Sequence, residues 1–146
     1  MPMATTDNLT TRNQLQGTVT RVLTGTVMAE VKVDVNGAEF VAAITANSVE
    51  RLGLREGDAV TVLVKATEVS LAKGAERLDA ITTRNQIPGT VTGVVTGSVM
   101  AEVTIDAGGN ELVAAVTRSS VERLEIAKGD EVVVLIKATE VMLGRK

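Results

Sequence analysis

Residues 10–14 read Thr-Thr-Arg-Asn-Gln, and residues 82–86 read the same. From there the chain repeats itself at a constant offset of 72 residues without a gap, and about 40 of the 62 positions in 10–71 recur unchanged. Two copies at this spacing describe a duplicated compact module and not a solenoid, which needs at least three repeats to bury a continuous core. The copies are bounded as 9–72 and 81–146, with a tail at 1–8 and a short polar linker at 73–80.

A module of this size has a thin core and needs a staple or a partner. The sequence contains no cysteine and no histidine, so disulfides are excluded and a zinc or iron–sulfur centre is not expected. Oligomerisation is what remains. Phe40 is the only aromatic residue, so the core has to be built from Val, Ile, Leu, Ala and Met, a composition that favours sheets. The net charge of −3 and the missing stacking rings weigh against nucleic acid. No apolar run reaches membrane-spanning length, and residues 1–8 lack the basic flank and apolar core of a signal peptide, so a short mobile tail on a cytoplasmic chain is expected.

Gly17–Leu23 reads as a strand turned by Thr24-Gly25. From Val27 to Val35 the residues alternate strictly, placing Val27, Ala29, Val31, Val33 and Val35 on one face and Met28, Glu30, Lys32 and Asp34 on the other. Asn36-Gly37 follows, with Gly108-Gly109 in the second copy; both accept the positive φ angles of a type I′ hairpin turn. The returning strand Glu39–Ile44 runs into a short helix capped by Asn47 or Ser48 and stopped near Gly53. A strand over Ala59–Ala66 and a last one over Glu68–Leu71 complete the module. The chain is thus expected to be mainly β, as two tandem OB-like five-stranded β-barrel modules with one short helix each. A pair of small packed sheets is the alternative.

Residues that can donate hydrogen bonds to an anion recur at matched places: Thr10, Arg12, Asn13, Thr45, Ser48, Lys65 and the backbone of Ala66, then Thr82, Arg84, Asn85, Thr117, Ser120, Lys137 and Ala138. The segment from Thr45 to Ser48 opens a helix, whose free N–H groups and positive dipole end suit an anion. If these segments meet in space they form an oxyanion cradle. Each residue also has a structural reading. Arg12 can pair with Glu68, Thr45 and Ser48 can cap the helix, and Lys65 can lie along the barrel with its ammonium in water. Met28 and Met100 read as packing.

The ordered motifs Thr-Thr-Arg-Asn-Gln, Gly-Thr-Val, Gly25-Thr26-Val27-Met28-Ala29-Glu30-Val31, Ile44-Thr45-x-x-Ser48-Val49-x-x-Leu52-Gly53-Leu54 and Val64-Lys65-Ala66 resemble the Mop domain, the molybdate-binding module of molbindins. The resemblance covers nearly the whole chain, once per copy. It implies an OB-like barrel, oligomers with oxyanions at interfaces between modules, and a role in intracellular molybdenum storage. The ligand it implies is molybdate or tungstate, with no organic cofactor and no direct cation ligands. The anion site it places at Thr10, Thr11, Arg12, Thr45, Ser48, Lys65 and Ala66, and at Thr82, Thr83, Arg84, Thr117, Ser120, Lys137 and Ala138. Two departures stand out. The family motif usually opens Ser-Ala-Arg-Asn, and the threonines here keep the hydroxyl. Met28 and Met100 occupy positions where many relatives carry Asn, near a second, axial type of oxyanion site, and the resemblance does not carry that site over.

A tetrahedral dianion held by donors, with no acceptor facing it, is the expected ligand; hydrogen phosphate would leave its own O–H without a partner. Nothing in the sequence points to turnover: there is no histidine base, cysteine nucleophile or Walker-type phosphate loop. The competing readings are an assembly or adaptor module that has lost its ligand, and a molybdate sensor acting through a separate partner protein. If single-module relatives form hexamers, three copies of this chain make the equivalent pseudo-hexamer; neither nucleic acid nor membrane is an expected partner.

Overall fold

Strand β1 (Asn13–Thr24) is 12 residues long, and its length lets one strand serve two partners. In the computed structural model, which describes residues 9–145, its first half pairs with β4 (Ala59–Val64) and its second half with β2 (Met28–Val35), both antiparallel. The changeover is at a bulge between Val19 and Arg21, where the Val19 N–H donates to the Asp58 carbonyl and the Val19 carbonyl accepts from the Gly57 N–H. A bulge bends its strand and deepens the local twist, which curls the sheet. Gly17 permits that close crossing: a Cβ there would sit 2.6 Å from Val33 Cγ1 and 2.8 Å from the Asp34 carbonyl oxygen.

β2 turns through Asn36-Gly37, with φ of 50° and 89°, into β3 (Ala38–Thr45), the hairpin expected from that dipeptide. Ala29, Val31, Val33 and Val35 are buried, as the alternation requires. Val27 departs from it. It lies before the strand and is 71% exposed, and its carbonyl accepts the Ala46 N–H at the start of helix α1 (Ala46–Leu52). Of the capping residues the sequence offers, Thr45 occupies the cap and accepts from the Ser48 N–H, and Gly53 ends the helix in the left-handed conformation.

The second copy repeats this with β6 (Asn85–Thr96), β7 (Met100–Ala107), β8 (Asn110–Thr117), α2 (Arg118–Leu124) and β9 (Glu131–Ile136). Between β4 and β6 lie a 3-10 turn, Ala66–Glu68, and strand β5 (Ser70–Lys73); after β9 come the matching turn Ala138–Glu140 and β10 (Met142–Arg145). The fourth strand thus ends before Lys65 and the fifth starts two residues later than the pattern suggested. The sheets run β10-β4-β1-β2-β3 and β5-β9-β6-β7-β8. The protein is mainly β, with two curled five-stranded sheets and one short α-helix attached to each.

The fifth strand of each sheet comes from the other sequence copy. One compact unit runs through Val64 and resumes at Ala138; the other is Lys65–Lys137. The sequence copies and the compact units are therefore different partitions of the chain. The expected tail at 1–8 lies outside the described residues.

Each exchanged strand is tied at its far end. In the first unit Arg145 Nη1 donates to Asp58 Oδ2 at 2.6 Å, and Asp58 Oδ2 also accepts the Arg55 N–H at 2.9 Å. The Arg145 hydrogen bond, followed by the Arg55 N–H, holds the Asp58 carboxyl below the ordinary carboxylate range. In the second unit Lys73 Nζ stands 3.5 Å from Asp130 Oδ2 and donates to the carbonyls of Leu124 and Glu125.

Candidate functional site

The repeated pentapeptide divides its labour. Its asparagine begins the strand: Asn13 pairs with Val64 and Asn85 with Ile136, and both side chains are buried. No buried side-chain nitrogen or oxygen among the described residues lacks a partner, so these asparagines are engaged within the fold and not displayed to solvent. Its glutamine holds the preceding loop. Gln86 Nε2 donates to the Leu78 and Thr83 carbonyls at 2.9 and 3.2 Å while Gln86 Oε1 accepts the Leu78 N–H; Gln14 Nε2 reaches the Thr11 carbonyl at 3.0 Å. Gln14 and Gln86 are positioning residues that the donor inventory missed, although their place in the repeated motif marked them.

What the loop presents is Thr10, Thr11 and Arg12, or Thr82, Thr83 and Arg84, of which the outer threonines and both arginines are exposed. Lys65 and Lys137 are exposed and follow β4 and β9 directly, and Ala66 and Ala138 open the 3-10 turns. In the second unit the pairing of Asn85 with Ile136 sets Arg84 and Lys137 one position past the same rung.

A recess of about 150 Å³ lies there, lined by Thr67, Glu68, Ser70, Ile81, Thr83, Leu135 and Lys137. It brings Thr83 and Lys137 together, against the turn and exchanged strand of the first copy. The 3-10 turn Ala66–Glu68 packs on β8, and Ala138–Glu140 packs on β3. Within one chain, the turn that Ala66 opens therefore packs on the strand that ends at Thr117, and the turn that Ala138 opens packs on the strand that ends at Thr45. Glu68, an acceptor when ionised, is also among the lining residues. Thr67 and Ser70 add hydroxyls that the sequence inventory did not select.

Thr45 and Ser48 are 2.7 Å apart through their hydroxyl oxygens, as are Thr117 and Ser120. Each threonine oxygen also accepts the serine N–H. The capping reading thus holds, and it leaves chemistry to spare: a mutual bond uses one of two hydroxyl protons. In the second unit Ser119 Oγ donates to Thr117 Oγ1 at 3.3 Å, filling both lone pairs of that oxygen. Thr117 must then donate to Ser120, and the Ser120 proton is the one that can point outward. Thr117 opens into a different, shallower recess with Ser98, Val99, Arg118, Ser119 and Glu122. Arg118 is paired there with Glu122 at 2.8 Å. One unit by itself therefore gathers part of the donor set in each of two places. No cluster of three or more potential metal-ligating side chains occurs among the described residues.

The TOBE domain model matches the chain twice, at residues 9–71 and 81–143. The chain belongs to the TOBE domain family. Its two TOBE copies are similar as a pair to a solved structure described as the cytoplasmic molybdate-binding protein ModG with molybdate bound. That likeness has 36% identity and a TM-score of 0.88, covering 95% of this chain and 99% of that one. The tandem is also 36% identical over 135 residues to the molybdenum-pterin-binding protein MopA of Rhodobacter capsulatus, covering 91% of this chain and 51% of MopA. Molybdenum-pterin-binding protein 1 of Clostridium pasteurianum is 40% identical over 65 residues, 44% of this chain and 96% of that protein. This TOBE tandem thus spans about half the length of MopA, and the clostridial relative matches a stretch about as long as one copy. No helix among the described residues is long and apolar enough to cross a membrane.

Proposed function

We propose that this tandem TOBE protein binds molybdate, and tungstate by the same geometry, and serves intracellular molybdenum storage in the cytoplasm. The observation that carries the reading is the likeness along nearly the full chain to a structure with molybdate bound. The donor chemistry supports it independently. Lys137 and Thr83 face one recess, Arg84 lies one rung away, and the Thr117–Ser120 pair retains an outward proton. Charge-assisted hydrogen bonds of this kind are worth roughly 1.5–3 kcal/mol each. Thr10, Thr11, Arg12, Asn13, Thr45, Ser48, Lys65 and Ala66, with Thr82, Thr83, Arg84, Asn85, Thr117, Ser120, Lys137 and Ala138, are the site residues of copies 9–72 and 81–146, joined by 73–80; the two asparagines act by anchoring the motif. The activity is binding without turnover.

Division of the donors between two recesses of one unit is best accommodated if a second copy of the chain supplies the other half. Leu23, Val27 and Met28, and their counterparts Val95, Val99 and Met100, are large apolar side chains exposed at the same hairpin end of each copy, as an interface between chains requires. Three chains forming a pseudo-hexamer of modules is the assembly we propose, and a monomer by light scattering would refute it.

Isothermal titration with molybdate, with sulfate and hydrogen phosphate as controls, tests the binding. Selective heat is expected for the wild type and its loss in the Arg12→Ala, Arg84→Ala double variant. Absence of heat from folded, oxyanion-free wild-type protein would overturn the reading.

A further inference from the structure

The proposed site is not the same in the two units. Strand β5 enters the second unit with Ser70 opposite Leu135, and Ser70 lines the recess with Thr83 and Lys137. Strand β10 enters the first unit in the same register, with Met142 opposite Leu63, and Met142 is exposed. The residues before these positions are identical, Ala-Thr-Glu-Val in both copies, and the residue after each is leucine. The exchanged strand therefore delivers a hydroxyl to one unit and a thioether to the other at one matched place. A serine hydroxyl can donate to an anion oxygen; a methionine sulfur is only a weak acceptor and has no proton to give. It is also larger, and its apolar body meets an anion that must stay hydrogen-bonded.

Resting on the proposed oxyanion reading, we propose that Ser70 is a ligand-binding donor of the second unit, and that Met142 at the matched place gives the chain two oxyanion sites of unequal affinity. Glu68 and Glu140 hold matched positions in the two copies, so they do not create the difference. One hydrogen bond to a charged ligand corresponds to a difference of about tenfold or more in dissociation constant.

The test is isothermal titration of the full chain with molybdate, using wild type, Ser70→Ala, Ser70→Thr and Met142→Ser, with light scattering and melting curves to show that fold and assembly persist. Two classes of site are expected in the wild type. Ser70→Ala should weaken the tighter class about tenfold and leave the weaker one unchanged, and Ser70→Thr should restore it. Met142→Ser should tighten the weaker class by a similar factor, a gain that damage to the fold would not produce. Two classes that Ser70→Ala and Met142→Ser both leave unaltered, or a single class in wild type that neither variant splits, would overturn the proposal while leaving molybdate binding intact. No heat from wild type would overturn the underlying function as well.

Discussion

The first unit packs Phe40 directly opposite Val33, and the second packs Leu112 directly opposite Ile105, with all four side chains fully buried. One large and one small residue have become two of middle size. The total volume is nearly kept, and so is the register of every strand pair around it. Interiors tolerate such paired exchanges and resist single ones, because close-packed side chains leave no slack for a lone change. The two units thus show which features the fold holds fixed, namely register, bulge and turn, and which it lets drift in compensating pairs.

Breaking the pair should have the largest effect. Phe40→Ala is expected to cost about 3–5 kcal/mol in denaturant unfolding, transfer and cavity contributions together. Phe40→Leu should cost less, and adding Val33→Ile should recover part of the loss, giving a nonzero coupling in the double-mutant cycle. Additivity of the two changes would show that the cross-strand pair is not what compensates.

The next effect is one both units should share. A Cβ at Gly89 would approach Ile105 Cγ2 to 2.6 Å and the Asp106 carbonyl oxygen to 2.9 Å, close to the values at Gly17. Gly17→Ala and Gly89→Ala are each expected to lose about 1–3 kcal/mol, since backbone cannot yield as a flexible side chain can. A variant as stable as wild type would mean that the β1–β2 or β6–β7 crossing is looser than described.

Much of this is legible in the sequence. Alternation placed Ala29, Val31, Val33 and Val35 on the buried face, and Asn36-Gly37 located the hairpin. Val27 was misplaced because it lies before the strand, where a backbone bond from Ala46 to its carbonyl replaces the ladder, which periodicity does not encode; among the capping residues offered, the choice of Thr45 was settled only by where the helix begins. The strand exchange was hidden for a different reason. Glu-Val-Ser-Leu and Glu-Val-Met-Leu offer β4 and β9 the same pattern in the same register, so local sequence cannot choose between them and connectivity decides. Of the candidate site, Thr83 and Lys137 were recognised as donors, whereas Thr67, Glu68 and Ser70 reach them only through the exchange.

The ends of the exchanged strands separate the units by charge. Asp58 in the first unit is held below the ordinary carboxylate range by Arg145 and the Arg55 N–H. A carboxyl depressed in the folded state contributes stability that is present above its unfolded pKa and lost as pH falls through the folded value. Arg145→Ala should therefore move the acid-unfolding midpoint of the first unit to higher pH. In the second unit the matching strand end is held differently, by Lys73 at 3.5 Å from Asp130 Oδ2 and on two backbone carbonyls. An acid midpoint that Arg145→Ala leaves in place, followed by circular dichroism, would show that the Arg145 contact does not hold the Asp58 carboxyl.

The smallest effect concerns how the two helices stop. Gly53 ends α1 with φ of 61°, and Glu125 ends α2 with φ of 52°, a left-handed conformation that a Cβ disfavours by roughly 1–2 kcal/mol. The second unit keeps this residue with outside help, since Lys73 Nζ donates to the Leu124 and Glu125 carbonyls at 2.9 Å each and satisfies acceptors that the helix end leaves open. Those bonds go to backbone oxygens, so Glu125→Gly retains them while removing the strain. It should stabilise the protein by about 0.5–1 kcal/mol, less than the full strain because glycine also frees the unfolded chain. Gly53→Glu should cost a similar amount or slightly more, because no lysine of the first unit's fifth strand reaches the end of α1: the matching residue is Arg145, and its guanidinium is engaged with Asp58. Thermal melts of the two variants would read these opposite signs directly, and a destabilised Glu125→Gly would show that the glutamate side chain itself holds the end of α2.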